Sequence, residues 1–223
     1  MTHYALIVAG GSGSRMQNQV PKQFLPLNGR PVLMHTLEAF HRSSCSPELI
    51  LVLNPKTTER WRELCAQHAF SVPHAIVAGG ANRFESVRNG LSMVREEGLV
   101  AVHDAVRPVV SADLIARAYR AAEQYGTAVP AIRSRDSVRQ GSEASSRTIS
   151  RDEIFLVQTP QTFSSRILLK AYELPYQEMY TDDASVVEAS GVEIRMIEGD
   201  AANIKITFPG DLQLAAFYLE NQK

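Results

Sequence analysis

Ala5-Leu-Ile-Val8, an apolar run without helical spacing, leads almost directly into Gly10, Gly11 and Gly13. Such a run predicts a strand buried on both faces. Glycines packed this densely let the chain turn tightly and bring backbone N–H groups close to a ligand. Bare amides at a strand-to-helix turn form an anion cradle, and phosphate is its usual guest. Arg15 and Lys22 add two positive charges just downstream. Amides, a guanidinium and an ammonium gathered at one turn suit a polyphosphate.

Two familiar phosphate loops are excluded. No Gly-x-x-x-x-Gly-Lys-Ser/Thr string occurs, and the dinucleotide fingerprint fails because Met16 stands at its third glycine. The string that remains is Ala9-Gly10-Gly11-x-Gly13-x-Arg15-Met16, then Pro21-Lys22, then Gly29-x-Pro31-x-Leu33. It resembles the nucleotidyltransferases that join a nucleoside triphosphate to a sugar or polyol phosphate. An ordinary strand-to-helix turn with two solvated basic residues leaves that coincidence unexplained.

With 223 residues the chain suffices for one substantial domain, taken here as 1–223. A formal net charge of −1 argues against a nucleic-acid coat or a basic membrane anchor, so local clusters must bind phosphate. No apolar run reaches the length that crosses a bilayer, and no charged-then-apolar leader precedes the first strand. Cys45 and Cys65 have neither metal-ligand nor Cys-x-x-Cys spacing and are expected to be free thiols. A soluble cytoplasmic protein is expected.

Residues 31–41, 57–70 and 83–96 carry helical periodicity, and 49–53, 75–78 and 99–103 are short apolar strands. Strands alternating with helices predict an α/β fold with a mainly parallel sheet and helices on both faces. Ligands in such sheets bind beyond the carboxyl ends of the strands. Further on, 111–124 reads as a helix and 128–132 as a strand. From about 133 to 156 the chain is too polar for a central core, with Ser137-Val138 and Thr148-Ile149 flanking a turn at Gln140-Gly141-Ser142. An extended hairpin is expected, leaning on a second subunit. A strand at 154–157, helices at 166–173 and 182–189, a strand at 192–197 and a closing helix at 211–221 follow, the last presenting Leu212, Leu214, Ala215 and Tyr218.

Several segments carry side chains suited to chemistry. His103-Asp-Ala-Val-Arg-Pro108 places Asp104 and Arg107 at the sheet's carboxyl edge. There a carboxylate can share a divalent cation with a triphosphate or accept substrate hydroxyls; an Asp–Arg pair stiffening a turn is the plainer reading. His103 is read as a packed, hydrogen-bonded side chain rather than a metal ligand. Gly79-Gly80-Ala-Asn-Arg83-Phe-Glu-Ser86 can set backbone groups and the Ser86 hydroxyl against a base or ribose, or is a plain turn, and Arg83 reads as a phosphate contact or, in preference, a solvated helix residue. Gln158-Thr159-Pro-Gln161 follows a strand, and in Thr181-Asp182-Asp183 either Thr181 or Asp182 can cap a helix. Lys205, between Ile204 and Ile206 in a short β segment, faces opposite to them, toward water or a phosphate pocket.

Taken in order, AGGSGSRM, PKQFLPLNGRPVL, GGANRFESV, HDAVRP, RDEIFLVQTPQ, TDDAS and NIKIT resemble the 2-C-methyl-D-erythritol 4-phosphate cytidylyltransferases over nearly the whole chain. The resemblance implies a Rossmann-like domain, a homodimer formed through an extended β-arm, and transfer of CMP from CTP to methylerythritol phosphate with Mg²⁺. It implies that Arg15 and Lys22 stabilise the α-phosphate in transfer, and that Arg151 and Lys205 hold the acceptor's phosphate. Ala9, Gly10, Gly11, Gly13, Gly80 and Ser86 would line the nucleotide site. Asp104 would meet metal and acceptor, with Arg107, Ser137, Thr159 and Thr181 completing the acceptor pocket; Ser137 and Arg151 would reach into the neighbouring subunit. Ala81 and Ala202 depart from the family pattern, where acidic residues occur, so no base contact through an Ala81 side chain and no metal ligand near Asn203 is assigned. Ribitol 5-phosphate cytidylyltransferases share these loops, and a nucleotide sensor that kept the fold is a reading of another class.

Overall fold

The structure, a computed structural model, describes residues 1–9 and 20–221. Gly10, Gly11, Gly13 and Arg15 therefore lie outside the described residues. Strand β1 (Thr2–Ala9) is followed by a tight 3-10 turn (Lys22–Phe24), the small hairpin β2 (Pro26–Leu27) and β3 (Arg30–Pro31), and helix α1 (Val32–His41). Then come β4 (Glu48–Leu53), α2 (Thr58–Gln67), β5 (Ala75–Ala78), α3 (Arg83–Leu91), β6 (Gly98–Asp104), α4 (Ala112–Tyr125) and β7 (Thr127–Arg133). The remainder comprises β8 (Val138–Gly141), β9 (Ser146–Ile149), β10 (Phe155–Val157), β11 (Gln161–Ser164), α5 (Ser165–Ala171), α6 (Asp183–Ala189), β12 (Met196–Glu198) and α7 (Gly210–Asn221).

The main sheet runs β10-β7-β11-β6-β1-β4-β5, with β12 beside β7. Strand β1 lies between β4 and β6 and is parallel to both. Its apolar run is explained by two-sided burial: Ala5, Ile7 and Ala9 face one core, Tyr4 and Leu6 the other. The first core takes Leu33, Leu37 and Phe40 of α1, Trp61 and Leu64 of α2, and Leu114, Ile115 and Tyr119 of α4. The second takes Phe84, Val87 and Leu91 of α3, Leu168 of α5, and Val186 and Val187 of α6. Each such side chain, fully buried, contributes about 1.5–3 kcal/mol. The expected mostly parallel sheet covered on both faces is thus present. Both cysteines are free, as their spacing indicated.

Local differences have local causes. Strand β11 went unread because Gln161-Thr-Phe-Ser164 has no periodic pattern, yet it pairs antiparallel with both β6 and β7. Helix α2 ends at Gln67, since Ala69 turns into the left-handed region at φ 48°. Helix α3 ends at Leu91, after which Met93 and Val94 donate N–H bonds back to Gly90 and Leu91 in a tighter turn. The hairpin expected in the polar insertion forms between β8 and β9, but its turn is at Ser142–Ser145, with Gln140 and Gly141 still in the strand. At Gly141 φ is 138° and a Cβ would overlap the Ser145 backbone, so the position requires glycine. Strand β12 is shorter than expected because Thr127 Oγ1 donates to Glu193 O and accepts the Arg195 N–H, replacing ladder bonds there. Residues 203–207 form no strand, and Ile206 donates its N–H to Val106 O. In α7, Ala215 is buried and Leu212 and Tyr218 pack beside it, but Leu214 points away and is exposed.

Candidate active site

Asp104 ends β6 on the same face as Val100 and Val102, so it looks toward the layer that holds α3 and α6. The first turns of those helices meet there. Asn82 caps α3 by accepting the Glu85 N–H, which sets Arg83 at the helix entrance. Asp182 caps α6 in a reciprocal box with Ser185, which sets Asp183 in its first turn. Asp182, not Thr181, is therefore the cap. Gln161 of β11 fixes this corner, donating to Asp182 Oδ2 and accepting the Ala184 N–H, each at 2.8 Å.

Arg83 is not a solvated helix residue. Its guanidinium donates to both carboxylate oxygens of the fully buried Asp183, at 2.8 and 2.6 Å, while Nε lies 3.8 Å from Asp104 Oδ1. Tyr172 also donates its hydroxyl to Asp183, at 2.7 Å. Burial by itself would lower the Arg83 guanidinium, but Asp183 and Asp104 outweigh it and raise it further.

Two more cations close on Asp104. Lys205 Nζ is 2.9 Å from Oδ2 and Arg107 Nε is 3.6 Å from it, the latter an ion pair longer than a hydrogen bond. Burial alone would raise the Asp104 carboxyl; Arg83, Lys205 and Arg107 together hold it well below the usual carboxylate range. Arg107 also donates to Asn203 O at 2.8 Å, tying the β6 loop to the segment that carries Lys205. Lys205 does alternate away from its isoleucines: Ile206 is buried, while the lysine side chain is half exposed.

Behind the carboxylate a relay of hydrogen bonds fixes the backbone. Thr159 Oγ1 accepts the Asp104 N–H and its hydroxyl reaches His103 Nδ1, each at 3.1 Å. His103 Nε2 lies 3.1 Å from Arg107 O, and since a carbonyl only accepts, Nε2 carries the proton and Nδ1 accepts from Thr159. Burial pushes the His103 imidazole down to about 4. His103 is thus a packed, neutral, doubly bonded side chain.

The end of β1 is joined to this edge. Gln23 donates to Ala9 O at 3.1 Å, and Lys22 Nζ donates to Thr207 O at 3.3 Å, two residues beyond Lys205. Ala9, Lys22 and the Lys205 segment are therefore brought together. In the β5–α3 loop, Gly80 donates its N–H to Ser86 Oγ at 3.1 Å, and Ser86 donates to Asn82 O at 2.8 Å. The buried Ser86 hydroxyl closes the loop from within. A Cβ on Gly80 would overlap Glu85, whose carboxylate accepts the Ala81 N–H at 2.8 Å. That carboxylate comes from α3 and not from position 81.

Thr181 is exposed one residue before the α6 cap. Ser137 and Arg151 are exposed on the arm, and Arg151 donates to Arg135 O at 3.3 Å within it. Neither touches Asp104. Arg83, Asp183, Tyr172 and Gln161 were not assigned from sequence. Arg83 and Asp183 are separated by 100 positions, and the two motifs that carry them do not announce that they meet.

The arrangement concentrates three cations around one carboxylate, with a fourth at Lys22, at the carboxyl edge of a parallel sheet. That is an electropositive floor suited to phosphate groups. Residues 3–221 match the family described as 2-C-methyl-D-erythritol 4-phosphate cytidylyltransferase. The chain is 49% identical over 219 residues to the enzyme of that name from Bacteroides fragilis, covering 98% of this chain and 100% of the relative. It superposes on 4-diphosphocytidyl-2C-methyl-D-erythritol synthase from Anaerococcus prevotii with a TM-score of 0.83 at 26% identity, covering 98% and 96% of the two chains. For 2-C-methyl-D-erythritol 4-phosphate cytidylyltransferase from Thermus thermophilus the TM-score is 0.79 at 33% identity, covering 99% and 100%. The chain belongs to the 2-C-methyl-D-erythritol 4-phosphate cytidylyltransferase family.

Proposed function

We propose that this chain transfers CMP from CTP to 2-C-methyl-D-erythritol 4-phosphate, releasing pyrophosphate, in the non-mevalonate route to isoprenoids. The observation that carries this reading is the meeting of Lys22 and the Lys205–Asp104 pair at one sheet edge, in a chain of this family. A phosphate oxygen of the acceptor attacks the α-phosphorus of CTP, and the bond from that phosphorus to pyrophosphate breaks. The attacking oxygen is already ionised at neutral pH, so no general base is required. The protein's task is positioning and neutralisation of charge.

In this scheme Lys22 and Arg15 face the α-phosphate, and Lys205 and Arg151 hold the acceptor's phosphate. Ala9, Gly10, Gly11, Gly13 and Gly80 offer backbone to the nucleotide, with Ser86 shaping the Gly80 loop. Arg107, Ser137, Thr159 and Thr181 frame the acceptor. Among the described residues no three His, Cys, Asp or Glu side chains converge on a metal position. Magnesium draws most of its oxygens from phosphates and water with one or two carboxylates, and Asp104, kept ionised by its neighbours, fits as that carboxylate. Bound there, the ion would neutralise charge on the triphosphate.

A homodimer with Ser137 and Arg151 acting on the neighbouring site is part of the same reading. Its support is an arm with almost no core of its own, exposed Leu156, Val157 and Met196, and an adjoining groove of about 730 Å³. Two free cysteines fit the cytoplasm. The test is pyrophosphate release from CTP with methylerythritol phosphate and ribitol 5-phosphate in turn. Release with the first supports the assignment; release with ribitol phosphate alone moves it to the other enzyme, and release with neither leaves a nucleotide sensor.

A further inference from the structure

Three cations share Asp104, but they are not equally free to leave it. Arg83 is locked by its two bonds to Asp183, and Arg107 is anchored by its bond to Asn203 O. Their side chains are 29% and 11% exposed, while that of Lys205 is 49% exposed. Among the described residues Lys205 has no second anchor of that kind, and it is the one that the proposed reaction needs at a substrate phosphate. If it swings to that phosphate, the buried Asp104 loses its shortest ion pair. A buried carboxylate stripped of its counter-charge is costly and tends to move toward another cation. The group placed to prevent this is Arg83, whose Nε faces Asp104 Oδ1, the oxygen opposite to the one Lys205 holds.

We infer that Asp183 and Arg83 are a positioning pair for the transfer: Asp183 fixes the Arg83 guanidinium, and Arg83 holds the Asp104 carboxylate in place when Lys205 turns to a substrate phosphate. Tyr172 belongs to the same device, since its hydroxyl bond to Asp183 restrains that carboxylate further. Neither Asp183 nor Arg83 needs to touch a substrate. The geometry joins the first turns of α3 and α6 through one guanidinium, so the Gly80 loop and the Thr181 loop are held in fixed relation as well. The inference rests on the function proposed above.

The test is a double-mutant cycle on the full chain with CTP and methylerythritol phosphate. Asp183→Asn keeps the size of the side chain and removes the charge that fixes Arg83. It is expected to lower kcat/KM for the acceptor by about 10- to 100-fold, leaving the KM for CTP within about threefold. Lys205→Gln alone is expected to cost at least as much, and the double variant no more than Lys205→Gln, because both act through the same carboxylate. Should Asp183→Asn not fold, Arg83→Lys serves instead: it keeps the charge but lacks the fork that reaches Asp183 and Asp104 together. Unchanged acceptor kinetics in a folded variant, or losses that multiply in the double variant, overturn the pair. An inactive wild-type protein counts against the function itself, whereas an active wild type with an unaffected variant counts against the positioning pair alone.

Discussion

Lys205 Nζ sits 2.9 Å from Asp104 Oδ2, so the lysine proposed to hold a substrate phosphate is also within reach of a carboxylate. The pair keeps the ammonium aimed into the site and offsets part of the repulsion from Arg83 and Arg107. Asp104→Asn removes that anion from among three cations. The expected outcome is a lower thermal midpoint together with a fall in kcat/KM of about 10²-fold, read by calorimetry and by pyrophosphate release. A variant with wild-type stability and turnover contradicts the role.

Lys22 is tied to Thr207 O and, through the neighbouring Gln23, to the end of β1. Its side chain lies in no hydrophobic core, so Lys22→Ala is expected to leave the circular dichroism spectrum unchanged. Turnover should fall by about 10²- to 10³-fold, the usual cost of one contact that neutralises transition-state charge. A near-normal kcat would remove Lys22 from the chemistry.

His103 makes stability depend on pH. Its imidazole has an ordinary value of 6.5 and is pushed to about 4 in the folded chain, so the unfolded state binds the proton more readily. Stability from this group is present in full above about 6.5, falls as the pH drops, and is lost below about 4, for a total of about 3 kcal/mol. The depressed Asp104 carboxyl adds a further loss at lower pH, below the ordinary carboxylate value. Urea midpoints measured from pH 7 to 4.5 should decline in the wild type and decline less in His103→Gln. Parallel slopes would exclude His103 as the source.

The arm yields a prediction about assembly. Lys22→Ala and Arg151→Ala are each expected to be inactive alone. If Arg151 serves the neighbouring site, mixing and re-pairing the two should restore about a quarter of wild-type activity, because about half of the dimers then carry one intact site of two. No recovery in a demonstrated mixed dimer would place Arg151 in its own chain's site.

Much of this was legible in the sequence because two-sided burial leaves a strong mark. The apolar runs at 5–8, 49–53 and 99–103 read as strands covered on both faces, and β1, β4 and β6 are those strands. Asp104 and Arg107 were legible for the same reason, since a polar pair directly after such a strand must emerge at its carboxyl edge. Strand β11 was not, because its four residues alternate in no useful way and owe their conformation to β6 and β7. Arg83 was misread because a helix-start arginine has no sequence signal for a partner 100 residues away. Ser86 was read as facing a ligand or as part of a plain turn, and its hydroxyl bonds with Gly80 and Asn82 inside the loop, a short-range pairing that motif spacing does not reveal.

The most direct test is a crystal structure with CTP and methylerythritol phosphate both bound, using a slow variant such as Lys22→Ala to trap the complex. The account predicts the α-phosphate beside position 22, and Lys205 Nζ moved from Asp104 to the acceptor's phosphate with Arg83 still bridging Asp183 and Asp104. A nucleotide bound away from this edge, or Lys205 still paired with Asp104 while the acceptor is seated, would contradict it.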